Sequence, residues 1–440
     1  MTLSGWGRYP RLAARVTAPR DVAGLTAAMG AGRVIARGNG RAYGDSAIGL
    51  DNTLQMGHFN RFLAFDPGTG VLTAEAGVLL ADIVKVFLPR GWFPYVTPGT
   101  KYVTLGGMIA ADVHGKNHHK HGSFGSCVEW VEVLTPAGEI LRCSLDSNPE
   151  LFAWTVGGMG LTGVILRAAI RLRPVASAWV RTSTRVAENI AQAIEIFETT
   201  EEATYSVAWI DCLQSGAGLG RSVILVGEHA GVAEVPRAHR ASPLVLPDAG
   251  RVTIPVDFPV WALNRFTVRA FNASYYRRAR TGPREHVMAC DRFFYPLDAI
   301  LGWNRIYGRR GFVQFQCVLP LASAERGLRA LLQAIAASGA GSFLAVLKRL
   351  GAQDSRFSFP MAGYTLALDF PVTSKTMALL DRLDAIAVDH GGRFYLAKDG
   401  RMSAQTFHRS DPRAAVYAEF RKSHGMADAL GSAQSGRLQF

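Results

Sequence analysis

Three glycine-rich segments fall within the first 163 residues and limit what the chain can build there: Arg37–Ser46 (RGNGRAYGDS), Thr104–Gly115 (TLGGMIAADVHG) and Gly157–Gly163 (GGMGLTG). Glycine lets the backbone reach positive φ and approach a phosphate closely, leaving amide N–H groups free to donate. The first segment follows a strand-like run, Val34-Ile35-Ala36. Its spacing, Gly38 and Gly40 followed by Gly44, is GxGxxxG, not the GxGxxG of the dinucleotide fingerprint. Ile48–Met56 is short, polar-interrupted and strand-like, so no amphipathic helix follows and a Rossmann site is excluded. An unliganded tight turn and a phosphate cradle both fit what remains. In the second segment the turn Pro98-Gly99-Thr100 precedes Thr104, which can cap a helix carrying Gly106 and Gly107 in its first turn. Such an N-terminus offers amides to a pyrophosphate, and close packing of the helix on a sheet explains the same small residues equally well. The third segment links a helix to a strand, where tight-turn geometry is sufficient. Three such loops, with neither a Walker lysine nor a Rossmann helix, point to an extended dinucleotide lying across several turns. FAD fits that better than ATP or NAD.

At 440 residues the chain exceeds one small core and suits two domains, which can be interleaved in sequence. With 48% hydrophobic and 19% charged residues it reads as an ordinary folded protein. The formal charge of +13 favours anionic partners. The densest basic cluster is Tyr276-Arg277-Arg278-Ala279-Arg280 and no nucleic-acid motif accompanies it, so nucleic acid is not the expected partner. The five cysteines are scattered and never spaced as CxxC, which argues against a disulfide framework or a zinc site. The N-terminus lacks the apolar core of a signal peptide, and no apolar stretch is long enough to span a bilayer. The expectation is a cytoplasmic protein, with peripheral membrane contact left open.

The periodicity divides into three zones. Up to about Pro174 short apolar runs alternate with glycine: strands at Val34–Ala36, Val71–Ala76 and Gly163–Leu172, helices at Leu80–Leu88 and Pro149–Val156, and a hairpin of Val128–Leu134 with Glu139–Cys143 across Pro136-Ala137-Gly138. Between about Val175 and Arg310 the pattern supports a helix at Ala187–Thr199, a strand at Tyr205–Ile210 and a long loop from Val232 to Pro259. The last zone reads as strand Phe312–Leu319, helix Ser323–Ala337, strands Phe343–Leu347 and Tyr364–Phe370, helix Ser374–His390 and strand Arg393–Ala397. That order, β-α-β-β-α-β, is a split ferredoxin-like unit with an antiparallel sheet. No internal repeat is visible. The fold class is α+β.

Two further sets bear on chemistry. His114, Lys116, Asn117, His118, His119, Lys120 and His121 invite a metal reading, but the lysines and the lack of a carboxylate or cysteine argue for a cationic, substrate-facing loop or solvated surface. His114, beside a glycine at a helix end, is best placed to meet a ligand. Lys398 ends the last expected strand and stands next to Asp399, a pairing that in isolation is bland.

The strings ARGNGRAYGDSA, PGTKYVTLGGMIAADVHGKNHHKHGSFG and TVGGMGLTGVIL together resemble the FAD domain of the vanillyl-alcohol-oxidase superfamily, with its PCMH-type FAD-binding fold. More narrowly they resemble the decaprenylphosphoryl-β-D-ribose 2′-oxidases, and SFLAVLKRLG, LDFP and FYLAKDGR…AQTFH match that family in order and spacing. The likeness covers nearly the whole chain and is weak between about Val175 and Tyr295. It implies a two-domain fold: an FAD-binding domain over residues 1–176, an antiparallel-sheet substrate (cap) domain over 177–392, and a C-terminal return to the first domain over 393–440. It places flavin contacts on Ala36, Arg37, Gly38, Asn39, Gly40, Arg41, Ala42, Tyr43, Gly44, Asp45 and Ser46, on Gly99, Thr104, Leu105, Gly106 and Gly107, on Ala111, Asp112, Val113 and His114, and on Ile165 and Tyr395. Arg41 stands where many relatives carry a histidine bonded covalently to the flavin, which implies noncovalent FAD. Lys398 matches the family's catalytic lysine, assisted in catalysis by His114 near the reactive edge, and Tyr43, Lys116, Tyr295, Gln314, Gln316, Lys348 and Lys398 itself match the substrate pocket. No metal is implied. Ala367 replaces the cysteine that mycobacterial members carry on the strand Tyr364–Phe370.

The implied reaction is oxidation of the 2′-hydroxyl of a polyprenyl-phosphoryl ribose to the 2-keto sugar, the C2′ hydride passing to the flavin. This is the first half of an epimerisation in arabinan (cell-wall) precursor synthesis, which calls for an NAD(P)H-dependent keto-reductase as partner. A soluble alditol or aldose oxidase is the nearest alternative, and a non-catalytic basic nucleic-acid- or membrane-binding protein the alternative from another class.

Overall fold

The computed structural model describes residues 1–247, 250–259, 262–342 and 344–440. After a short antiparallel ribbon of Thr2–Leu3 with Leu12–Ala13, the chain forms a small parallel sheet of β1 (Val16–Thr17), β2 (Val34–Arg37) and β3 (Asn52–Gln55), with β3 in the centre. Helix α1 (Val22–Met29) connects β1 to β2 and is capped by Asp21, which accepts from the amide of Gly24 at 2.8 Å. A larger antiparallel sheet follows. It contains β4 (Phe62–Asp66), β5 (Val71–Glu75), β6 (Trp92–Pro94), β7 (Val128–Leu134), β8 (Ile140–Cys143) and β9 (Val164–Pro174), in the order β8-β7-β9-β5-β4, with β6 paired to the far end of β9. The β7–β8 hairpin closes where the sequence places its turn, with Gly138 at φ +83°. Helices α2 (Leu80–Phe87) and α3 (Leu105–Ala110) bury Ile83, Val84, Met108 and Ile109 in the same core as Val131, Val133 and Ile170 of this sheet. Helix α4 (Pro149–Thr155) leads through the third glycine segment into β9.

The second half builds one eight-stranded antiparallel sheet. Its elements are β10 (Trp179–Ala187), α5 (Ile190–Thr199), β11 (Tyr205–Ile210), β12 (Ser222–His229), α6 (Arg265–Thr281) and β13 (Glu285–Ala289), then β14 (Phe312–Pro320), α7 (Leu321–Ser338), β15 (Ala345–Leu350), β16 (Gly363–Pro371), α8 (Ser374–Asp389) and β17 (Arg393–Phe394). The strand order is β13-β10-β12-β11-β15-β16-β14-β17. Each half of that order is the fourth, first, third and second strand of a β-α-β-β-α-β unit, and the two units meet through their second strands. The split unit expected at the end of the chain is therefore present twice. The repeat escapes the sequence because the first copy carries a long, irregular insertion between β12 and α6, and because no similarity of residues is needed to build two sheets of one topology.

Alternation along β14 explains how this sheet works. Val313, Phe315, Cys317 and Leu319 share a core with Leu328 and Leu331 of α7 and Leu380 and Leu383 of α8. The alternate residues Gln314, Gln316 and Val318 face the first half of the molecule. After β17 the chain returns to the first half through α9 (Ala404–Ser410), α10 (Arg413–Ser423) and α11 (Ala433–Leu438). Tyr417 stacks on Trp154 at 5.1 Å, and Leu430 bridges to Val34.

Three elements differ from the expectation. The helix read from Ala187 begins at Ile190, because Ala187 ends β10 and Asn189 supplies the cap. The last strand stops at Phe394, so Lys398 sits on the turn that follows, not at a strand end. The strand read from Phe343 is observed from Ala345; Phe343 lies outside the described residues, as do residues 248–249 of the Val232–Pro259 loop. The described part of that loop holds two 3-10 turns and the short strand Val252–Thr253.

Candidate active site

The loop Arg37–Ser46 is held from three sides. Its N-terminal end continues β2, and Arg37 donates to the carbonyls of Ser4 and Ala47 at 2.8 and 3.2 Å. The N-terminal segment lies against it, with the amides of Trp6 and Gly7 bonded to the carbonyls of Ala42 and Tyr43 at 2.8 and 3.1 Å. The turn after β17 closes the third side: the amide of Tyr43 bonds to the carbonyl of Ala397 at 2.9 Å, and Gly44 lies so close that a Cβ there would stand 2.0 Å from the carbonyl oxygen of Asp399. Arg437 then ties both strands of the chain together, with 2.8 Å contacts to Asp45 and to Asp399. This clamp brings Lys398 to the glycine loop. Its Nζ lies 3.7 Å from the ring centroid of Tyr43.

Inside the clamp the backbone is free to bind. The amides of Asn39, Gly40, Arg41 and Ala42 have no acceptor among the described residues, and Gly40 turns the chain at φ +62°. Successive unpaired amides around such a turn form an anion nest. Arg41 adds a half-buried guanidinium stacked 4.0 Å over Trp6, its Nε unpartnered, and partial burial lowers its pKa. Gly38 leaves room for Thr104, whose Oγ1 would stand 2.2 Å from a Cβ at that position.

The other two glycine segments have several of their amides bonded within the protein. Thr104 caps α3 as expected, but the amides of its first turn are taken: Leu105 bonds to Val78, Gly106 to Ala76 and Gly107 to the Thr104 hydroxyl. Of the two readings this helix N-terminus left open, the bonded amides support close packing on the sheet. Gly106 is needed because α3 abuts Ala76, whose Cβ would lie 2.9 Å from a Cβ at that position, whereas a Cβ on Gly107 would meet only the Thr104 hydroxyl, at 3.0 Å. In the third segment the amides of Gly157 and Met159 bond to the carbonyls of Ile109 and Ala110, fixing the end of α3. The nest at Asn39–Ala42 and the half-buried Arg41, whose Nε has no partner, suit the diphosphate of FAD; Gly99 is exposed, with open space where a Cβ would stand.

Next to the clamp, buried polar side chains from the two halves meet around His114. His114 is buried, and the amide nitrogen of Gln316 lies 3.0 Å from its Nε2 and 3.2 Å from the hydroxyl of Thr365. Its ring is flanked by Phe359 and Tyr395, which stack on each other at 4.7 Å. The tyrosine hydroxyl is anchored on the carbonyl of Ala111 at 3.0 Å. Burial, then the charges of Lys348, His118 and Lys398, hold the His114 pKa well below the usual histidine range, so the imidazole is neutral. Three lysines converge here. Burial lowers Lys348 to about 8, and burial with the charge of Lys348 lowers Lys116 to about 7. Lys116 donates to the carbonyl of Phe293 and lies over that ring at 4.3 Å. Lys398 is also shifted toward its neutral form by burial; Asp369 opposes that shift and Lys348 reinforces it.

Asp369 is the residue the sequence reading missed. It is fully buried, receives a bond from Gln314 at 2.5 Å, leaves Oδ2 without a partner, and has its pKa raised by burial. The signal was present: an aspartate inside the apolar strand Tyr364–Phe370 is rarely buried without a reason. Asp399 and Arg437 were likewise legible only as neighbours in space.

The remaining expected residues are placed as follows. Asp112 spends its carboxylate on Ser123, Gly125 and Gln353, and Asp45 spends its own on Arg437. Ser46, Val113 and Ile165 are buried. Tyr295 is only 2% exposed and its hydroxyl is shared with Thr97 at 2.6 Å. In the histidine run, His118 bonds to Gln353 and His119 to the carbonyl of Ala203, and no metal-ligand cluster exists among the described residues. Ala367 lies opposite Gln316 on the pocket face, partly accessible.

Comparison with known proteins bears on this geometry. Residues 10–144 match the family model described as an FAD binding domain. The chain is 38% identical to decaprenylphosphoryl-beta-D-ribose oxidase of Mycolicibacterium smegmatis, over 99% of this chain and 97% of that protein. It is 34% identical to L-gulonolactone oxidase of Bos taurus over 32% of each chain. It is also 33% identical to cytokinin dehydrogenase 4 of Arabidopsis thaliana, over 27% of this chain and 24% of that one.

Proposed function

The chain belongs to the decaprenylphosphoryl-β-D-ribose oxidase family of FAD-dependent oxidoreductases, and from that premise we propose that it oxidises the 2′-hydroxyl of a polyprenyl-phosphoryl ribose to the 2-keto sugar. When bound, FAD supplies the two-electron acceptor for that oxidation. The observation that carries the substrate class is a row of buried lysines that lack enough anions to hold them charged: Lys348 acts on both Lys116 and Lys398, and Asp369 is the carboxylate that acts on Lys398. A neutral alditol gives such a pocket nothing to neutralise, whereas a phosphoryl group does.

In this reading Lys348 and Lys116 hold the phosphoryl group, and Lys398 Nζ orients the 2′-hydroxyl and receives its proton. Burial favours the amine form needed for that step. His114, kept neutral, orients Gln316 through their shared bond. Tyr43 and the stacked pair Phe359–Tyr395 exclude water around the reacting carbon. Residues 1–176 and 393–440 bind FAD, noncovalently because Arg41 offers no nucleophile to the flavin, and 177–392 receive the substrate. The 2-keto product calls for an NAD(P)H-dependent keto-reductase to complete an epimerisation, and the lipid chain calls for contact with a membrane surface.

The test is anaerobic bleaching of the bound flavin. A polyprenyl-phosphoryl ribose bleaches it and free alditols do not; the reverse outcome assigns the protein to soluble polyol oxidation instead. Lys398→Met keeps the yellow cofactor and lowers turnover by about 10²–10⁴-fold, the usual weight of a positioned acid–base group. Near-normal turnover in that variant removes the role.

A further inference from the structure

Helix α6 is the exposed flank of the second half. Val268 and Asn272, four residues apart, are its buried stripe; Asn272 donates to Asp211 at 2.7 Å and Tyr276 to the carbonyl of Ala187 at 3.2 Å. The remainder faces outward, with Phe266 80%, Phe271 47% and Tyr275 37% exposed. The helix carries Arg265, Arg269, Arg277, Arg278 and Arg280, all exposed, and neither aspartate nor glutamate. Among the described residues none of these five arginines has an ion-pair partner. Aromatic rings standing out of a purely cationic helix are the composition of an interfacial helix on an anionic bilayer.

The register of the sheet links this helix to the pocket. Gln316 stands opposite Ala367, Ala367 opposite Val346, and Val346 opposite Trp209, so all four share one face. The row continues off the sheet: the ring of Tyr275 lies 4.7 Å from Trp209, and Phe271 stacks on Tyr275 at 6.1 Å. An apolar and aromatic row therefore runs from the partner of His114 to the exposed side of α6.

We propose that α6 docks the protein on an anionic lipid bilayer, and that the row from Ala367 through Trp209 to Phe271 takes the polyprenyl chain as it leaves that surface. The second clause rests on the substrate reading above; the first stands without it. A protein partner of the same face would need carboxylates to meet five arginines, whereas an anionic bilayer presents that charge continuously.

The experiment is flotation of the FAD-loaded full chain with phosphatidylcholine vesicles, with and without phosphatidylglycerol. Binding is expected only with phosphatidylglycerol and is lost at high salt. Because each surface cation contributes about fivefold in such binding, R277Q/R278Q/R280Q weakens it on the order of a hundredfold. These residues are exposed, so the flavin spectrum and melting temperature stay at wild-type values. Turnover of a short-chain, water-soluble phosphoryl ribose is unchanged in the triple variant, while turnover of a long-chain substrate embedded in the vesicles falls. Equal binding to both vesicles, unchanged binding of the triple variant, or no binding at all overturns the docking proposal; the last leaves this face to a protein or nucleic acid. If neither ribose is oxidised yet α6-dependent flotation persists, the substrate reading fails and the docking surface stands.

Discussion

Arg437→Met removes the cation that joins the cofactor loop to the Lys398 turn. Arg437 donates to Asp45 at 2.8 and 3.1 Å and to Asp399 at 2.8 Å, and the two aspartates are only 2% and 9% exposed. Deleting one member of a buried charge cluster costs about 3–5 kcal/mol, because the remaining charges stay buried without compensation. Unfolding entropy of about 2.1 cal/mol/K per residue gives about 0.9 kcal/mol/K for the 440-residue chain. The melting temperature should therefore fall by roughly 3–5 °C. The loss is also pH-dependent. In the native protein burial raises the Asp45 pKa against the pull of Arg437, whereas at Asp399 the same burial is outweighed by Arg437 and the amides of Arg401 and Met402, so its pKa is depressed. The stability from Asp399 is present above its unfolded pKa and lost as pH falls through the folded one. Without the cation both folded pKa values rise above their unfolded values. The deficit is then full at neutral pH and narrows as the solution is acidified and the carboxyls protonate. Thermal unfolding followed by circular dichroism and flavin fluorescence, at pH ~7 and at pH ~5, measures both effects. Arg437→Lys, which keeps the charge without the fork, should fall between the two. A melting temperature within about 1 °C of wild type, or a gap that does not change with pH, refutes the clamp.

Asp369→Asn removes the anion that raises the Lys398 pKa, so the acid limb of the kcat/KM profile moves to lower pH while FAD content is retained; an unmoved limb separates Asp369 from the proton step. The five native cysteines are all buried, and burial raises the thiol pKa of each, so thiol reagents should leave activity intact. Ala367→Cys puts a thiol on the accessible pocket face opposite Gln316; alkylation should then block turnover in step with label uptake, and full activity after stoichiometric labelling contradicts the placement of the pocket.

Local pattern carried much of this protein. The alternation of Phe312–Leu319 and Tyr364–Phe370, the turn at Gly138 and the cap at Thr104 are each set by residues within a few positions of one another, and each is observed where the sequence places it. Strand ends were less legible: Lys398 leaves its strand early because the chain there is pulled onto the glycine loop by Asp399 and Arg437, far away in sequence. The duplicated β-α-β-β-α-β unit was invisible because topology repeats without its residues repeating.

The glycine segments show the division most clearly. Their spacing alone excluded a Rossmann site and called for close backbone approach, since that depends only on which residues lack a Cβ. It could not say what each glycine approaches. In the tertiary structure one loop leaves a run of unpaired amides, the second sets Gly106 of α3 against Ala76, and the third bonds to the carbonyls of Ile109 and Ala110 at the end of α3. The same holds for charge. Lysines are read from sequence as solvated cations, and only burial turns Lys116, Lys348 and Lys398 toward their neutral forms, because desolvation is a property of the surroundings and not of the residue.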